Sequence, residues 1–318
     1  MDRRDFLTAK RRKKPADSEQ ASRSITSGIN PYSGQWTENE IVHLLKRTMF
    51  GAKKADVDYF KGRTVSQAVD ELMNPAAPQP MPPIKEYVTS TQPGTPDTNI
   101  MQGTTWVNDI NNDGTVQSQR RASYKKWLTG ILINQDRSIR EKLVMFWVDH
   151  FGNETSDVGN TNWSYKQHDL IRQYAFGNFK QLVDAISKDV SMLRYLNGYL
   201  SVASAPDENY GRELLELFTI GKGPDSKYTE SDVKEAAKAL TGWQINGTTY
   251  MPIFTSSRHS AVNKTFSSFF NNTVITGRTG ATAGQLELTD LLNMIFSNQE
   301  VAKFIVRKFY RFFCLLYN

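Results

Sequence analysis

The sequence is poor in the residue types that most often build a recognisable site. Its 318 residues include one cysteine, Cys314, and four histidines. A single cysteine excludes an intramolecular disulfide, and no group of cysteines and histidines has the spacing of a structural zinc site. No nucleophile elbow, phosphate-binding loop or dinucleotide-binding glycine pattern is present either. These absences remove the commoner enzyme classes and leave the redox compartment open.

Long apolar runs are also missing. Because no stretch is long and apolar enough, the sequence predicts no membrane-spanning helix. Met1–Leu7 contains paired arginines before Phe-Leu, as a twin-arginine export signal does. The apolar segment that such a signal needs is replaced here by the basic run Lys10–Lys14. A disordered basic tail over residues 1–35 therefore competes with a working export signal.

Basic charge is concentrated in that tail. The chain has a net charge of +6, and seven basic residues against two acidic ones lie in its first fourteen positions. The body is therefore near neutral, and no basic face with interleaved aromatic residues runs through it. We expect no nucleic-acid partner.

Helical periodicity dominates the body from residue 36 onward. Several apolar stripes with a period of 3.6 residues follow a hydroxyl residue that has an acid or amide three positions later. These capping signatures begin at Thr37, Thr64, Ser138 and Ser297. Short links between the stripes indicate antiparallel packing. We predict a mainly α fold, a multi-helix orthogonal or antiparallel bundle with long loops, in a single domain over residues 36–318.

Three segments break this helical pattern. Prolines recur between residues 75 and 96, and we predict an irregular excursion over residues 75–105, either a lid or an insertion. Residues 244–284 are rich in Thr, Ser, Asn and Gly, which predicts one short β-hairpin or an ordered loop around Arg258–His259. The last residues are apolar and uncapped, which predicts that a further element follows residue 318.

Asp109–Gly114 imitates the first half of a calcium loop. Oxygen-bearing side chains occupy its first, third and fifth positions, and a glycine follows. The twelfth position is Arg120, where a calcium loop has a bidentate glutamate. We therefore favour an Asx-rich turn over a metal site.

The main polar cluster lies in residues 209–243, which predict two adjacent helices. Arg212, Glu213 and Glu216 lie on the first helix, and the two acids are three residues apart, so they share a face. The histidines available to join them are His43, His150 and His259. With an imidazole close by, these carboxylates would form a catalytic acid–base or metal site. The competing interpretation is a salt-bridge ladder through Glu208, Arg212 and Glu216 on a solvated face.

Two histidines have predicted surroundings. His150 follows Phe146 and Trp147 by helical spacing, so we expect it in the core. We expect His168 at the surface. The residues assign neither a cofactor nor a metal.

Four groups of residues, taken together, are typical of one bacterial family. They are His43–Arg47 with Phe50–Gly51, Arg140–Leu143 with Phe146–Phe151, Asn209–Gly221, and Tyr228–Trp243. In these motifs the chain resembles the family catalogued as domain of unknown function 1800, from about residue 36 onward. The resemblance implies a mainly helical protein without an established activity. It also implies frequent twin-arginine export and a gene neighbour that encodes an exported, sulfatase-like protein.

The chain departs from the pattern of that family at three positions. Val148 and Ser260 stand where the family often has a histidine and an acid, and Gly211 stands where alanine is common. The first two departures remove candidate metal ligands or proton carriers. They weaken an enzymatic interpretation for this chain.

The residues and the resemblance support three hypotheses of function. The first is a binding or assembly partner in an envelope-associated system with a sulfatase-like companion. The second is a metal-assisted hydrolase that uses Glu213, Glu216 and a histidine, and the third is a scaffold without a site. The resemblance favours the periplasm, whereas the missing apolar segment at the N-terminus leaves the cytoplasm open.

Overall fold

Helices form where the sequence places an apolar stripe behind a cap. The computed structural model describes residues 30–74, 79–87 and 97–314, and thirteen α-helices occur among them. The predicted mainly α fold is confirmed. Most of the basic tail, part of the proline-rich excursion and the last four residues lie outside the described residues.

The α-helices belong to the unit Trp36–Asn318. In chain order they are α1 Glu38–Thr48, α2 Lys54–Phe60, α3 Val65–Leu72, α4 Gly114–Ile133, α5 Arg140–His150, α6 Thr155–Val158, α7 Thr161–Tyr174, α8 Phe179–Ile186, α9 Val190–Tyr195, α10 Glu208–Glu213, α11 Glu230–Ala239, α12 Ala283–Phe296 and α13 Gln299–Phe313. Within the described ranges, no helix is both long and apolar enough to cross a membrane.

Two of the predicted capping boxes are confirmed. At Thr37 and at Thr64 the threonine hydroxyl accepts the backbone N–H of the residue three positions later. The side chain of that later residue accepts the backbone N–H of the threonine. Thr229 forms a third capping box with Asp232 at the start of α11. Each such cap stabilises its helix by about 1 kcal/mol.

The other two predicted caps are wrong. Helix α5 begins after Ile139, which provides no side-chain cap, and Ser138 accepts only the N–H two residues later, at 3.2 Å. The Glu141 side chain is bound elsewhere in the core. Helix α13 begins after Asn298, not Ser297, because the Asn298 side chain accepts the second backbone N–H of the helix at 3.0 Å.

The segment after α11 contains two short antiparallel strand pairs, where we predicted one hairpin or a loop. Strand β1 (Trp243–Ile245) pairs with β2 (Pro252–Phe254), with Trp243 opposite Phe254. Strand β3 (Lys264–Thr265) pairs with β4 (Val274–Ile275). Strand β3 packs on α11, β4 packs on α12, and β1 packs on α9.

Buried side chains form three clusters. The largest joins α5 and helices α7 to α13 with the strand region. A second cluster holds α1, α2 and α3 together through Leu45, Phe60 and Leu72. A third is mainly aromatic and packs Trp106 and Tyr124 against α7. The core is therefore built almost entirely of helix faces.

A buried arginine fastens the irregular excursion to α4. Residues 79–87 and 97–105 contain no regular helix, as predicted. Arg120 is fully buried, and its guanidinium donates to both oxygens of the buried Asp97, at 2.8 and 3.1 Å. Lys85 donates to the Asp97 carbonyl at 2.6 Å. The fold thus fixes the described part of the excursion by paired charges.

The loop before α4 is the predicted Asx-rich turn. The Asn111 side chain accepts the N–H of Asp113 at 2.9 Å, and Asp113 in turn caps α4. At the twelfth position, Arg120 donates to the carboxylate of Asp109 and, at 2.8 Å, to its carbonyl. A guanidinium therefore supplies the positive charge that a calcium loop takes from its ion.

Candidate functional site

The central helix α10 is packed tightly against α11. Asp207 caps its start, because the Asp207 carboxylate accepts the backbone N–H of Tyr210 at 3.1 Å. Tyr210 is buried and donates its hydroxyl to the carbonyl of Ser187 at 2.6 Å. Gly211 lets the helices approach, since a Cβ there would lie 2.6 Å from the carbonyl oxygen of Val233 on α11. This packing sets the directions of the side chains that follow.

The helix then widens into a π-helix over Leu214–Thr219. Beyond its last residue, the N–H of Ile220 donates to the carbonyl of Leu215, five residues back, at 2.8 Å. Near its end, the carbonyl of Phe218 contacts the ring of His150. A π-helical turn within an α-helix is rare and is frequently found at functional sites.

Arg212 and Glu216 are each engaged by a partner outside α10. Arg212 donates to both carboxylate oxygens of Glu230 on α11, with an Nη1–Oε1 distance of 2.9 Å. Glu216 lies 3.2 Å from the Nζ of Lys222. The predicted ladder through Glu208, Arg212 and Glu216 is therefore wrong. A bidentate contact between two helices matches the planar guanidinium better than single contacts along one helix.

Glu213 faces a cavity of about 370 Å³. The cavity is also lined by Gly152, Tyr195, Leu196, Asn209, Leu217 and Phe218. Asn209 lies one helical turn before Glu213, so the amide and the carboxylate point to the same side. The Oε2 atom of Glu213 is buried and has no hydrogen-bond partner among the described residues.

The surroundings of Glu213 favour its neutral form. Burial raises the pKa of Glu213, and the negative charge of Glu216 raises it further, against the opposing charge of Arg212. An unpaired, partly buried carboxylate is costly. Glu213 is therefore suited either to hold a proton or to receive a donor from outside.

His150 lies in the core, as predicted, and both of its ring nitrogens are engaged. Burial, followed by the charge of Lys308, lowers the pKa of His150 to about 3, so the ring is neutral. Nε2 lies 3.0 Å from the carbonyl oxygen of Phe218, and Nδ1 lies 3.0 Å from the Nζ of Lys308. The tautomer that satisfies both contacts donates from Nε2 and accepts at Nδ1. This histidine connects the π-helix to α5 and α13.

His259 belongs to a different buried network. Its Nδ1 lies 2.8 Å from the carbonyl oxygen of Thr241, and its Nε2 lies 3.1 Å from a carboxylate oxygen of Glu287. Lys264 also donates to Glu287, and both side chains are fully buried. Burial raises the pKa of Glu287, but the contacts with His259 and Lys264 outweigh it, so the pKa is lowered overall. Sequence analysis missed Lys264 and Glu287, because 23 residues separate them.

The remaining histidines lie away from α10. His43 is exposed on α1. The surface position predicted for His168 is wrong, because its exposure is only 4%. Its ring is edge-on to Tyr124 and Trp127 of α4, with centroid distances of 6.2 and 5.6 Å. Helix α7 is packed on several sides, which buries the polar row that contains His168.

The structure does not bring the six candidate residues into one cluster. Arg212 pairs with Glu230 and Glu216 pairs with Lys222, whereas Glu213 faces its own cavity. The three histidines lie in separate surroundings. Over residues 30–74, 79–87 and 97–314, no group of three or more His, Cys, Asp or Glu side chains is arranged to hold a metal ion. Among the same residues, Glu213 has no hydrogen bond to a histidine. The arrangement can accept a hydrogen-bond donor at Glu213.

The fold and the site define a class first: a mainly helical protein in which one carboxyl group, directly before a π-helical segment, faces a small cavity. A family model described as "Protein of unknown function (DUF1800)" matches residues 43–315. The chain therefore belongs to this family, in agreement with the motifs in its sequence. A search of curated proteins and a search of solved structures found no match.

Proposed function

We propose that this protein is a binding or assembly partner in an envelope-associated system, and that the Glu213 cavity receives a positively charged or hydrogen-bond-donating side chain of the partner. The observation that carries this proposal is the unpaired, buried Oε2 atom of Glu213 inside a concave site. An arriving donor satisfies that atom. No further chemistry is needed for recognition.

The walls of the cavity support recognition of a long, basic side chain. Leu196, Leu217 and Phe218 supply apolar surface for a methylene stem, and Tyr195 supplies an aromatic ring. The carboxylate of Glu213 then takes the charged head. Arginine and lysine both have this combination of stem and head.

The partner that we propose is the sulfatase-like companion suggested by the resemblance to the family. Affinity purification of the tagged chain from its native host tests this, with mass spectrometry to identify and quantify recovered proteins. We expect the companion to be recovered with the native sequence. Recovery of no partner would contradict the proposal.

A matched pair of variants assigns the contact. Glu213→Gln removes the charge but keeps the shape, and loss of a charge-assisted hydrogen bond weakens recovery by about tenfold or more. Glu208→Gln is the control, because Glu208 is exposed on the same helix and its nearest cation, Lys234, is 4.0 Å away. Equal recovery with both variants would exclude the Glu213 cavity as the contact.

A second candidate function is favoured by the raised pKa of Glu213. A carboxyl group with a raised pKa is suited to act as a general acid, as a hydrolase requires. The metal-assisted form of this hypothesis also needs a histidine beside Glu213 and Glu216. Hydrolysis assays on the native chain, with elemental analysis for bound metal, test it. Glu213→Gln is expected to abolish hydrolysis, and retained hydrolysis in that variant would refute this assignment.

A further inference from the structure

The cavity at Glu213 combines one charged wall residue with uncharged ones. Asn209, Glu213 and Leu217 follow one another at intervals of four residues, along α10 and into the π-helix, and all three line the cavity. Tyr195 and Leu196, at the end of α9, also line it. No other described residue in the lining is charged. The sign of the charge that a ligand needs is therefore set by Glu213.

The nearby charges on α10 are already paired. Arg212 donates to both carboxylate oxygens of Glu230, and Glu216 lies 3.2 Å from the Nζ of Lys222. Each of these pairs is neutral as a whole. In contrast, the Oε2 atom of Glu213 is buried and has no hydrogen-bond partner among the described residues. A cation that enters the cavity therefore meets a carboxyl group that the chain itself leaves without a contact.

A second acceptor lies beside this carboxyl group. Asn209 is exposed and lies one helical turn before Glu213. The side-chain oxygen of Asn209 and the carboxylate of Glu213 thus provide two acceptors on one side of α10. A guanidinium has five N–H donors in a fixed planar fork, whereas an ammonium is a compact point charge. Two neighbouring acceptors therefore favour a guanidinium.

The opposite walls favour the same head group, because they are poorly hydrated. Leu196 and Phe218 are buried, and Tyr195 is only partly exposed. A guanidinium is more weakly hydrated than an ammonium, so it loses less when it leaves water for such a wall. Its flat face also stacks on aromatic rings, and Tyr195 supplies one.

We infer that the Glu213 cavity is selective for an arginine side chain, whose guanidinium donates to Glu213 and Asn209 while its methylene stem lies along Leu217. Leu217 is 48% exposed, so it offers apolar surface to the stem. The inference rests on the proposed function, since it names the residue type that the partner presents. It goes further by excluding lysine as the preferred residue.

Two small cations with identical stems test the selectivity on the purified full chain. The probes are n-butylguanidinium and n-butylammonium, which carry the same charge and differ only in the head group. Titration at neutral pH, followed by the NMR shifts of the backbone amides around Glu213, gives both dissociation constants. We expect n-butylguanidinium to bind about tenfold more tightly. Equal affinities, tighter binding of n-butylammonium, or no binding of n-butylguanidinium would overturn the inference.

Asn209→Ala tests the second acceptor. It is expected to remove most of the preference for n-butylguanidinium, while the affinity for n-butylammonium changes little. Glu208→Ala is the matched control, because Glu208 is the adjacent exposed residue on α10 and does not line the cavity. The control should keep the native preference. An unchanged preference in Asn209→Ala, or an equal loss in both variants, would overturn the inference.

Glu213→Gln locates the binding and should weaken n-butylguanidinium about tenfold or more, because the amide keeps the shape but not the charge. Native affinity in this variant would overturn the inference. These titrations do not depend on finding the partner. Selective binding without a recovered partner would contradict the proposed function alone, whereas a recovered partner together with equal binding of the two cations would contradict the inference alone.

Discussion

Replacing Gly211 by alanine tests how closely α10 and α11 are packed. The added Cβ would lie 2.6 Å from the carbonyl oxygen of Val233 and 2.9 Å from the backbone nitrogen of Ala237. Both are main-chain atoms of α11 and have no rotamer to change. The helices must therefore separate, and both Val233 and Ala237 are fully buried.

The magnitude follows from two opposing effects. Alanine is a better helix former than glycine by up to about 1 kcal/mol. Overpacking a buried contact costs about 1–3 kcal/mol, and main-chain neighbours put this variant in the upper part of that range. We expect Gly211→Ala to lower the free energy of unfolding by about 1–2 kcal/mol.

Urea unfolding followed by circular dichroism measures this effect, with Gly130→Ala as the matched control. Gly130 lies within helix α4, and a Cβ there would meet no atom within 4 Å. The higher helix propensity of alanine is then the only effect, and Gly130→Ala is expected to raise the free energy of unfolding by up to about 1 kcal/mol. If Gly211→Ala stabilised the chain to a similar extent, the close approach of α10 and α11 would be refuted.

Three further predictions concern buried ionisable groups. His168 has a pKa of about 3 in the folded chain against about 6.5 unfolded. The folded chain keeps His168 neutral, so its contribution to the free energy of unfolding is complete above pH 6.5. That contribution falls with pH and is lower by about 2 kcal/mol at pH 5. Urea unfolding at pH 7.5 and pH 5 measures how much unfolding free energy is lost on acidification, and this loss should be smaller for His168→Leu than for the native chain. An equal loss in the two proteins would contradict the prediction. Asp189 has a pKa of about 7, raised by burial, against about 3.9 unfolded, so its contribution falls as the pH rises from 4 to 7. Asp189→Asn keeps the cap of α9 and should raise the free energy of unfolding at pH 8 by up to about 4 kcal/mol. At pH 4 the same variant should change it little. An equal change at both pH values would contradict this prediction. Lys264→Met leaves Glu287 buried without its lysine and should cost about 3–5 kcal/mol in thermal or urea unfolding. Adding Glu287→Gln should recover part of that loss, and a larger loss in the double variant would refute the pairing.

Capping residues and helical periodicity in the sequence predicted the helices well. The capping box predicted at Thr64 is present, and the Thr64 hydroxyl accepts the N–H of Gln67 at 3.2 Å at the start of α3. Such caps act within one turn, so the sequence is sufficient to find them. At Ser297 the same reasoning was off by one residue, because Asn298 is an equally good cap.

Contacts between distant residues explain what the sequence left out. Arg212 has acids at helical spacing on both sides, yet it pairs with Glu230, 18 residues away. Lys264 and Glu287 are charged residues of a kind usually found at the surface, and they are buried together where β3 packs on α11 and β4 packs on α12. The π-helix after Glu213 depends on how α10 packs against its neighbours. No local pattern in Leu214–Thr219 predicts it. Propensity and periodicity cannot supply partners of this kind.

Arg120 has a consequence for the surroundings that the Asp109 loop tolerates. A calcium loop keeps its shape only while the ion is supplied, and a chelator releases it. In this chain the compensating cation is covalently attached to α4 and reaches Asp109 from within the same loop and helix. We therefore expect the turn to keep its shape whether or not a divalent ion is present in its compartment.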